Sequence, residues 1–317
     1  MAIKATQAGA AVFHLGWEQP VYLRATAEID AAALVEGFLR ALDTFRAAGG
    51  VVVWTIHNLE PHEERFPSVN ATMQRGLALR ADVVHVHNRR GADHARASGA
   101  RPDSMVLVRH PNYAESYPND ITDQAARRYL GLNEDDIVFT FFGAVRDYKG
   151  LPRLMRAFDT ASVTLASARL VIAGRSSQPC QARALRPNPR LRVLLRDIAD
   201  AEIQYVMRAA DCVVLPYEAI LTSGVLALAQ GFGRPVIVPD LPSMIEEVTD
   251  GDNGFLFKAG SDEALTGTLR HAAATLSDVR GRMRAAAHAA VREQTFSGLA
   301  KALDSSVETR MPRRRAA

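Results

Sequence analysis

The sequence predicts an α/β protein with two Rossmann-like domains, and three observations predict it. The chain has 317 residues, which is about twice the length of a usual single domain. Short continuous apolar runs alternate with helical stretches in both halves, and the segment HPNYAESYPND at residues 110–120 interrupts the alternation. Because strands that are apolar throughout are typical of sheets buried on both faces, each half is expected to form a parallel sheet covered by helices.

The first half ends at the interruption, which places the first domain at residues 1–112. Runs rich in β-branched residues predict its strands, and longer stretches with helical spacing predict its helices. The predicted strands are AVFHL (11–15), VVVWTI (51–56), DVVHV (82–86) and MVLVR (105–109), and the predicted helices lie near 30–48 and 68–80.

The second half repeats the alternation and forms the second predicted domain, at residues 113–284. An Ala- and Arg-rich helical stretch from about 278 to 304 follows, and residues 285–305 are expected to complete the first domain. Ligands of such sheets bind at the carboxyl ends of the strands. The predicted strands of this half are IVFTFFG, RLVIAG, LRVLL, CVVLP, PVIVP and GFLF.

The composition excludes several classes of protein. Apolar residues make up 48% and charged residues 23%, which is typical of a soluble globular protein. Lys and Arg total 38 against 35 acidic residues, and no basic stripe with interleaved aromatic residues occurs, so nucleic-acid binding is not expected. The tail with Arg310 and 313–315 is either a solvated end or an anchor on anionic lipid.

Targeting and redox signals point to the cytoplasm. The start lacks the apolar core of a signal peptide, and no apolar run reaches the roughly 18 residues of a membrane span. Cys180 and Cys212 form no CxxC pair, which argues against a disulfide framework and a zinc site. We therefore expect a cytoplasmic protein, with peripheral contact at the inner face of the membrane as an open alternative.

The first segment that carries chemistry is FFGAVRDYKG at residues 141–150. An apolar strand runs into Gly143, and a helix begins near Leu151. Glycine lets the backbone approach a ligand closely, and a helix start offers free N–H groups and a positive dipole end. Arg146 and Lys149 beside that start predict a diphosphate clamp, with a solvated turn as the alternative.

The second segment is LPYEAILTSGVLALAQGFGRPVIVPD at residues 215–240. A buried strand enters a loop that ends at Thr222 and Ser223, and a small apolar helix follows. Either side chain can cap that helix, while the amides of Gly224 and Val225 face an anion. A plain N-cap is the alternative. Two helix starts of this kind in one domain favour a phosphate site.

Together these segments resemble the donor half of retaining glycosyltransferases of family 4, which have the GT-B fold. The resemblance covers roughly residues 50–300 and is strong over 137–260. It implies transfer of a sugar from a UDP- or GDP-sugar to an acceptor hydroxyl, with retention of anomeric configuration and without a metal or other cofactor. The implied acceptor is a glycan or lipid-linked glycan in bacterial polysaccharide or glycoconjugate synthesis.

The resemblance also implies roles for individual residues. Arg146 and Lys149 occupy the places that contact the donor diphosphate, and the amides at Gly224 and Val225 those that contact its distal phosphate. His57 aligns with a histidine that reaches the donor sugar, so the catalytic expectation rests on His57, Arg146 and Lys149. The donor-binding set is completed by Gly143, Glu218, Thr222, Ser223 and Glu246, and His62 and Glu63 are weaker candidates in the loop after His57.

The sequence departs from the family pattern in the second segment. Many members carry two glutamates there, of which the later one grips the nucleotide ribose, and the corresponding places hold Leu221 and Ala229. Neither side chain can bind a ribose hydroxyl. Glu218 lies nearby and is either a substitute ligand or an exposed loop acid. A divergent branch with a Ser-Gly loop in place of the glutamates fits better.

The amino-terminal domain is predicted to be short by a βαβ unit, because only about ten residues precede AVFHL. Either the true start lies upstream, or a partner chain completes the domain, or the domain is reduced. His14, Trp17 and Glu18 would lie near the acceptor side, with core packing favoured for Trp17. A non-catalytic sugar-nucleotide-binding subunit and a sugar-nucleotide epimerase are the alternative functions.

Overall fold

The structure is a computed structural model that describes residues 11–59, 65–176 and 188–311. It divides into two compact units, of which the second is His110–Thr295 and the first comprises the residues on either side of that range. Residues 110–112 and 285–295 thus group with the second unit. The features predicted at His62, Glu63, Cys180 and 313–315 lie outside the described residues.

Each unit contains one parallel sheet. Among the described residues, the first unit has four strands in the order β1-β2-β3-β4, and the second has six in the order β10-β9-β8-β5-β6-β7. The strands are β1 (Val12–Leu15), β2 (Val51–Ile56), β3 (Val83–Val86), β4 (Met105–Leu107), β5 (Ile137–Phe142), β6 (Ala168–Ala173), β7 (Leu191–Leu194), β8 (Cys212–Val214), β9 (Val236–Pro239) and β10 (Gly254–Phe257).

Helices connect these strands. Side chains of Asn88, Thr122, Ser223 and Ser261 accept a hydrogen bond from the first turn of four of the helices, which satisfies one of the amides left open there. The described α-helices are α1 (Glu28–Ala47), α2 (Pro67–Arg80), α3 (Arg89–Ala97), α4 (Asp123–Tyr129), α5 (Leu151–Ser162), α6 (Asp200–Ala209), α7 (Gly224–Gly231), α8 (Asp262–Val291) and α9 (Phe296–Glu308).

The hydrophobic cores explain why the strands are apolar throughout. Every residue of β2 is buried, and Val307 of α9 packs against Val51 and Val53. In the second unit, aromatic residues of β5 such as Phe139 form one core cluster with residues of α5 and α8, including Phe158. The central strands of each sheet are therefore removed from water on both faces, which is the condition under which alternation of polar and apolar residues disappears.

The predicted α/β fold with two Rossmann-like sheets is confirmed. The helical stretch predicted from about 278 to 304 is divided between two helices, because α8 ends at Val291 and α9 starts at Phe296. Asn112 explains the break: its Nδ2 donates to the carbonyl oxygens of Val291 and Gln294, at 2.6 and 2.9 Å. These contacts satisfy carbonyl groups at the helix end that a continuing helix would have used.

Within the described ranges, no helix is both long enough and apolar enough to cross a bilayer.

Candidate functional site

The loop between β5 and α5 lies at the carboxyl edge of the second unit's sheet, where the ends of its parallel strands meet. The chain leaves β5 through Gly143, whose φ of 101° favours glycine. It enters α5 through Gly150, where a Cβ would lie 2.0 Å from the carbonyl oxygen of Pro216. Glycine at this position lets the loop pack directly against the chain that follows β8.

Lys149 is the buried cation of this loop. Only 9% of the residue is exposed. Burial, followed by the charge of Arg146, lowers the pKa of the Lys149 ammonium from 10.5 to about 8. In the part of the chain that the structure describes, no side chain or carbonyl group accepts a hydrogen bond from this ammonium. Because a buried charge without a partner is unfavourable, an anionic ligand is its natural counterpart.

Arg146 has a different environment. It is exposed at the surface of the loop, and its guanidinium lies near the hydroxyl of Tyr148. Burial raises the pKa of Tyr148, while the positive charge of Arg146 opposes this rise. Arg146 therefore supplies a solvated positive charge beside the buried one of Lys149.

The start of α7 forms the second part of the site. Ser223 is its N-cap: its Oγ accepts a hydrogen bond from the amide of Leu226 at 3.1 Å. The same Oγ lies 2.8 Å from the hydroxyl of the buried Tyr217, which orients the cap. The amides of Gly224 and Val225 belong to the first turn of α7, where a helix has N–H groups without internal partners. This turn can bind an anion.

Gly143 is the point at which the two parts meet. A Cβ on Gly143 would lie 2.9 Å from Nζ of Lys149 and 3.4 Å from Cγ2 of Val225. The ammonium and the first turn of α7 therefore flank the same glycine. This brings a buried cation, helix amides without internal partners and a glycine backbone together on a scale that suits a phosphate group.

The other predicted donor-side residues are exposed or half-buried. Glu218 is exposed, and its carboxylate lies 3.9 Å from Nη1 of Arg153. Thr222 is half-buried just before the cap, and Glu246 is half-buried in the turn that follows β9. Ser243 ties this turn to the loop before α7, because its Oγ donates to the carbonyl oxygen of Ile220 at 2.6 Å.

The two places that hold glutamate in many family members are apolar and buried in this chain. Leu221 is 3% exposed and Ala229 is not exposed at all. Ala229 belongs to the core cluster around α7, and Leu221 is a buried aliphatic side chain, so neither position offers a polar group to a ribose.

His57 follows β2 at the carboxyl edge of the first unit's sheet. Its ring stacks on Trp17 at 4.8 Å and lies 5.2 Å from the ring of His87. His87 and His85, whose rings lie 4.5 Å apart, are residues that the sequence analysis missed. Their spacing of two residues at the end of the strand run DVVHVHN is the signal that would have found them, since it places both on one face of the strand.

A chain of hydrogen bonds crosses this edge of the first unit. His14 Nε2 lies 2.8 Å from Oγ1 of Thr55, which lies 3.1 Å from Nδ1 of His85. His85 Nε2 lies 3.0 Å from the carbonyl oxygen of Val108. Burial lowers the pKa of His14. Among the described residues, no group of three His, Cys, Asp or Glu side chains could hold a metal ion.

The expectation that Trp17 packs in the core is wrong, because 51% of the residue is exposed. The ring lies in the loop after β1 and covers His57 instead of entering the core. The next residue, Glu18, is the buried one, at 4% exposure, and accepts a hydrogen bond from Nε2 of Gln74. Burial raises the pKa of the Glu18 carboxyl. The chain turns at this point so that the aromatic ring faces solvent.

The second unit matches a protein family by sequence. Residues 136–274 match the family model described as glycosyl transferases group 1. This range contains the β5–α5 loop and the start of α7, so the family match and the anion-binding geometry coincide in one segment.

Curated relatives agree with this match. A GDP-mannose:glycolipid 4-beta-D-mannosyltransferase of Xanthomonas campestris pv. campestris is 28% identical over 80% of this chain and 69% of its own length. A D-inositol 3-phosphate glycosyltransferase of Corynebacterium glutamicum is 29% identical over 71% of this chain and 53% of its own length. The chain is thus similar to glycosyltransferases over most of its length.

Solved structures show the same fold. HepE of Anabaena in complex with UDP superposes with a TM-score of 0.75 at 17% identity, over 97% of this chain and 82% of that one. Sucrose-phosphate synthase of Thermosynechococcus elongatus superposes with a TM-score of 0.74 at 16% identity, over 97% and 75%. These likenesses confirm the GT-B fold class predicted from the sequence.

Proposed function

We propose that the chain is a glycosyltransferase that moves a sugar from a nucleoside diphosphate sugar to an acceptor hydroxyl. The observation that carries the proposal is the buried ammonium of Lys149, which has no partner among the described residues and shares Gly143 with the first turn of α7. The diphosphate of the donor is the anion that fits this arrangement. The match to glycosyl transferases group 1 over residues 136–274 supports the same assignment.

The reaction places negative charge where these groups lie. The bond between the anomeric carbon and the diphosphate oxygen breaks, and its electron pair stays on the diphosphate. The acceptor oxygen forms the new bond and releases its proton. Lys149, Arg146 and the amides of Gly224 and Val225 stabilise the charge that develops on the leaving group, which is an electrostatic contribution of the oxyanion-hole type.

No divalent metal is required in this proposal, because the chain's own cations neutralise the leaving group. Turnover that persists in excess EDTA would support this part. Turnover that needs added Mg²⁺ or Mn²⁺ would contradict it.

The stereochemical outcome, donor and acceptor are finer parts of the proposal. Retention of anomeric configuration follows from the resemblance to retaining enzymes, whereas the Xanthomonas relative is a 4-beta-D-mannosyltransferase, which makes inversion the outcome to test against. Proton NMR of the product's anomeric centre decides between them. GDP-mannose and UDP-glucose head the donor panel, and a glycolipid and a free glycan are the two acceptor classes to compare. His57 stays a predicted contact of the donor sugar.

The place of action is also a proposal. We expect the cytoplasm, with contact at the inner face of the membrane for a lipid-linked acceptor. Sedimentation with vesicles that contain anionic lipid, compared with neutral vesicles, tests the membrane contact.

The experiment that tests the core proposal is a donor assay on the whole chain. Hydrolysis and transfer are measured for a panel of UDP- and GDP-sugars, with wild type, Lys149→Ala and Lys258→Ala. Lys258 is the matched control, because it is an exposed lysine of the same unit after the edge strand β10. We expect Lys149→Ala to lower turnover about 100-fold or more and Lys258→Ala to leave it unchanged.

Other outcomes separate the alternatives. Donor binding that depends on Lys149 without any turnover would identify a binding subunit that needs a partner chain. Interconversion of the donor sugar without transfer would identify an epimerase. Absence of binding for every donor would overturn the proposal.

A further inference from the structure

The segment that follows β4 forms part of the second unit and is fixed in place by Asn112. The backbone amide of Asn112 donates to the carbonyl oxygen of Gln294 at 2.7 Å, and its side chain donates to Val291 and Gln294. Its Oδ1 accepts a hydrogen bond from the amide of Ala114 at 2.9 Å. Tyr113 lies between these anchored residues, so its backbone position is tied to the end of α8.

This segment packs closely against two glycines of α7. Gly224 and Gly231 are seven residues apart, which places them on the same face of the helix. A Cβ on Gly231 would lie 3.4 Å from the amide nitrogen of Ala114, and a Cβ on Gly224 would lie 3.1 Å from the hydroxyl oxygen of Tyr113. The absence of a Cβ at these two positions lets the segment approach the helix closely.

The hydroxyl of Tyr113 therefore lies against the first turn of α7. In this turn, Val225 lies beside Gly143, the same glycine that the ammonium of Lys149 approaches. The ring is held by aromatic neighbours: its centroid lies 5.8 Å from that of His110 and 5.9 Å from that of Tyr117. The hydroxyl is thus a hydrogen-bond donor that is fixed on two sides and positioned beside free helix amides.

We infer that Tyr113 is a donor-binding residue whose hydroxyl donates a hydrogen bond to the distal phosphate of the nucleoside diphosphate. The inference rests on the proposed function, because it assigns a further ligand to the same diphosphate. It also gives Gly224 a specific role: the position must lack a Cβ so that the phenol can reach the anion that the helix start holds.

The chemistry of the phenol suits this role. Burial and the neighbouring Tyr117 raise the pKa of Tyr113, so the hydroxyl keeps its proton at neutral pH. A protonated phenol donates to a phosphate oxygen, and hydrogen bonds to charged acceptors are stronger than neutral ones.

The test is calorimetric titration of the full chain with GDP and UDP, and with GMP and UMP. The variants are Tyr113→Phe and the matched control Tyr117→Phe, which removes a hydroxyl from the adjacent, also half-buried tyrosine. Both substitutions keep the ring, and thermal unfolding of each variant verifies that packing is preserved. The diphosphates possess the distal phosphate, and the monophosphates lack it.

We expect Tyr113→Phe to weaken binding of the diphosphate that wild type prefers by about tenfold and to leave binding of the corresponding monophosphate unchanged. Tyr117→Phe should change neither. Diphosphate binding that Tyr113→Phe leaves intact, or an equal loss for diphosphate and monophosphate, overturns the inference while the proposed function stands. Failure of wild type to bind any of the four nucleotides overturns both.

Discussion

The two edges of the second unit's sheet differ in whether their buried cations are paired with carboxylates. At the carboxyl edge, Lys149 is buried without a partner among the described residues. At the amino edge, Arg127 and Arg234 are buried too, yet each meets a carboxylate: Arg127 lies 2.8 Å from Asp211, and Arg234 lies 2.5 Å from Asp123. A cation that has an internal partner contributes to the structure, whereas a cation without one is available to a ligand.

The amino edge is a network that joins distant parts of the unit. Arg284 of α8 lies 2.6 Å from Asp123 at the start of α4 and 3.6 Å from Asp211, which directly precedes β8. The charges of Arg234 and Arg284 hold the pKa of the Asp123 carboxyl at about 2, against the effect of its burial. This network fastens α8 to the sheet, and among the described residues Lys149 at the carboxyl edge has no such ion pair.

The largest expected effect is the loss of stability on substituting Asp211 at the amino edge. Asp211→Asn leaves Arg127, Arg280 and Arg284 facing a neutral side chain, and Asp211 is completely buried. We expect the free energy of unfolding to fall by about 3–5 kcal/mol, the usual cost of breaking a buried ion pair. Urea unfolding measures it.

A matched control uses an exposed aspartate of the same unit. Asp197 pairs with Arg175 at 3.7 Å, and the two side chains are 81% and 67% exposed. Asp197→Asn should leave the unfolding midpoint unchanged. An equally small effect of Asp211→Asn would contradict the structural role of the network.

Substitution of Lys149 is expected to raise the free energy of unfolding, not to lower it. Replacing the unpaired ammonium by Lys149→Met removes a buried charge and keeps most of the side-chain volume, so the free enzyme should gain about 1–3 kcal/mol of unfolding free energy. The same variant should lose donor turnover. A stabilised but inactive protein, measured by urea unfolding and the donor assay, is the signature of a ligand-binding cation; a destabilised one would show that Lys149 has a structural partner.

The pH dependence of stability provides a second test of the unpaired charge on Lys149. The pKa of Lys149 is about 8 in the folded protein and 10.5 when unperturbed, so the unfolded chain binds more protons between these values. The stability cost of the charged lysine is therefore fully present below pH 8 and disappears as the pH rises towards 10.5. We therefore expect the unfolding free energy of wild type, relative to that of Lys149→Met, to rise as the pH increases from 7 to 10.

Donor affinity should follow the opposite course, because the protonated ammonium is the form that binds the diphosphate. Above pH 8 the affinity of wild type should fall by up to about tenfold per pH unit, and the Lys149→Met variant should lack this dependence. A flat profile for wild type would contradict diphosphate binding by Lys149.

The smallest expected effect concerns Glu218. Its carboxylate is 57% exposed and lies 3.9 Å from Arg153, so its charge is screened by solvent. We expect Glu218→Gln to change the KM of the donor less than about threefold. A tenfold rise in KM with an unchanged kcat would instead identify Glu218 as the ribose ligand that replaces the missing glutamates.

Several features of the fold and site could be predicted from local sequence. The continuous apolar runs VVVWTI and GFLF correspond to β2 and β10, residue for residue. The sequence predicts Thr222 or Ser223 as the N-cap of α7, and in the structure Oγ of Ser223 accepts a hydrogen bond from the amide of Leu226. These predictions succeed because burial on both faces and helix capping leave a signature within a few neighbouring residues.

Other features depend on residues far apart in the chain and could not be predicted. The break between α8 and α9 depends on Asn112, which is 179 residues from Val291. The exposure of Trp17 depends on how the loop after β1 meets His57. Local sequence contains neither contact.

The sequence by itself determined the α/β class, the two parallel sheets and the positions of the two helix starts, because continuous apolar strands, glycines and capping residues act over short distances. Only the tertiary structure decided which cations are paired. Lys149 and Arg127 each have a second basic residue nearby in the sequence, and their difference arises because Asp211, 84 positions from Arg127, pairs with Arg127, while no carboxylate among the described residues pairs with Lys149. Charge pairing and burial are properties of contacts between distant segments.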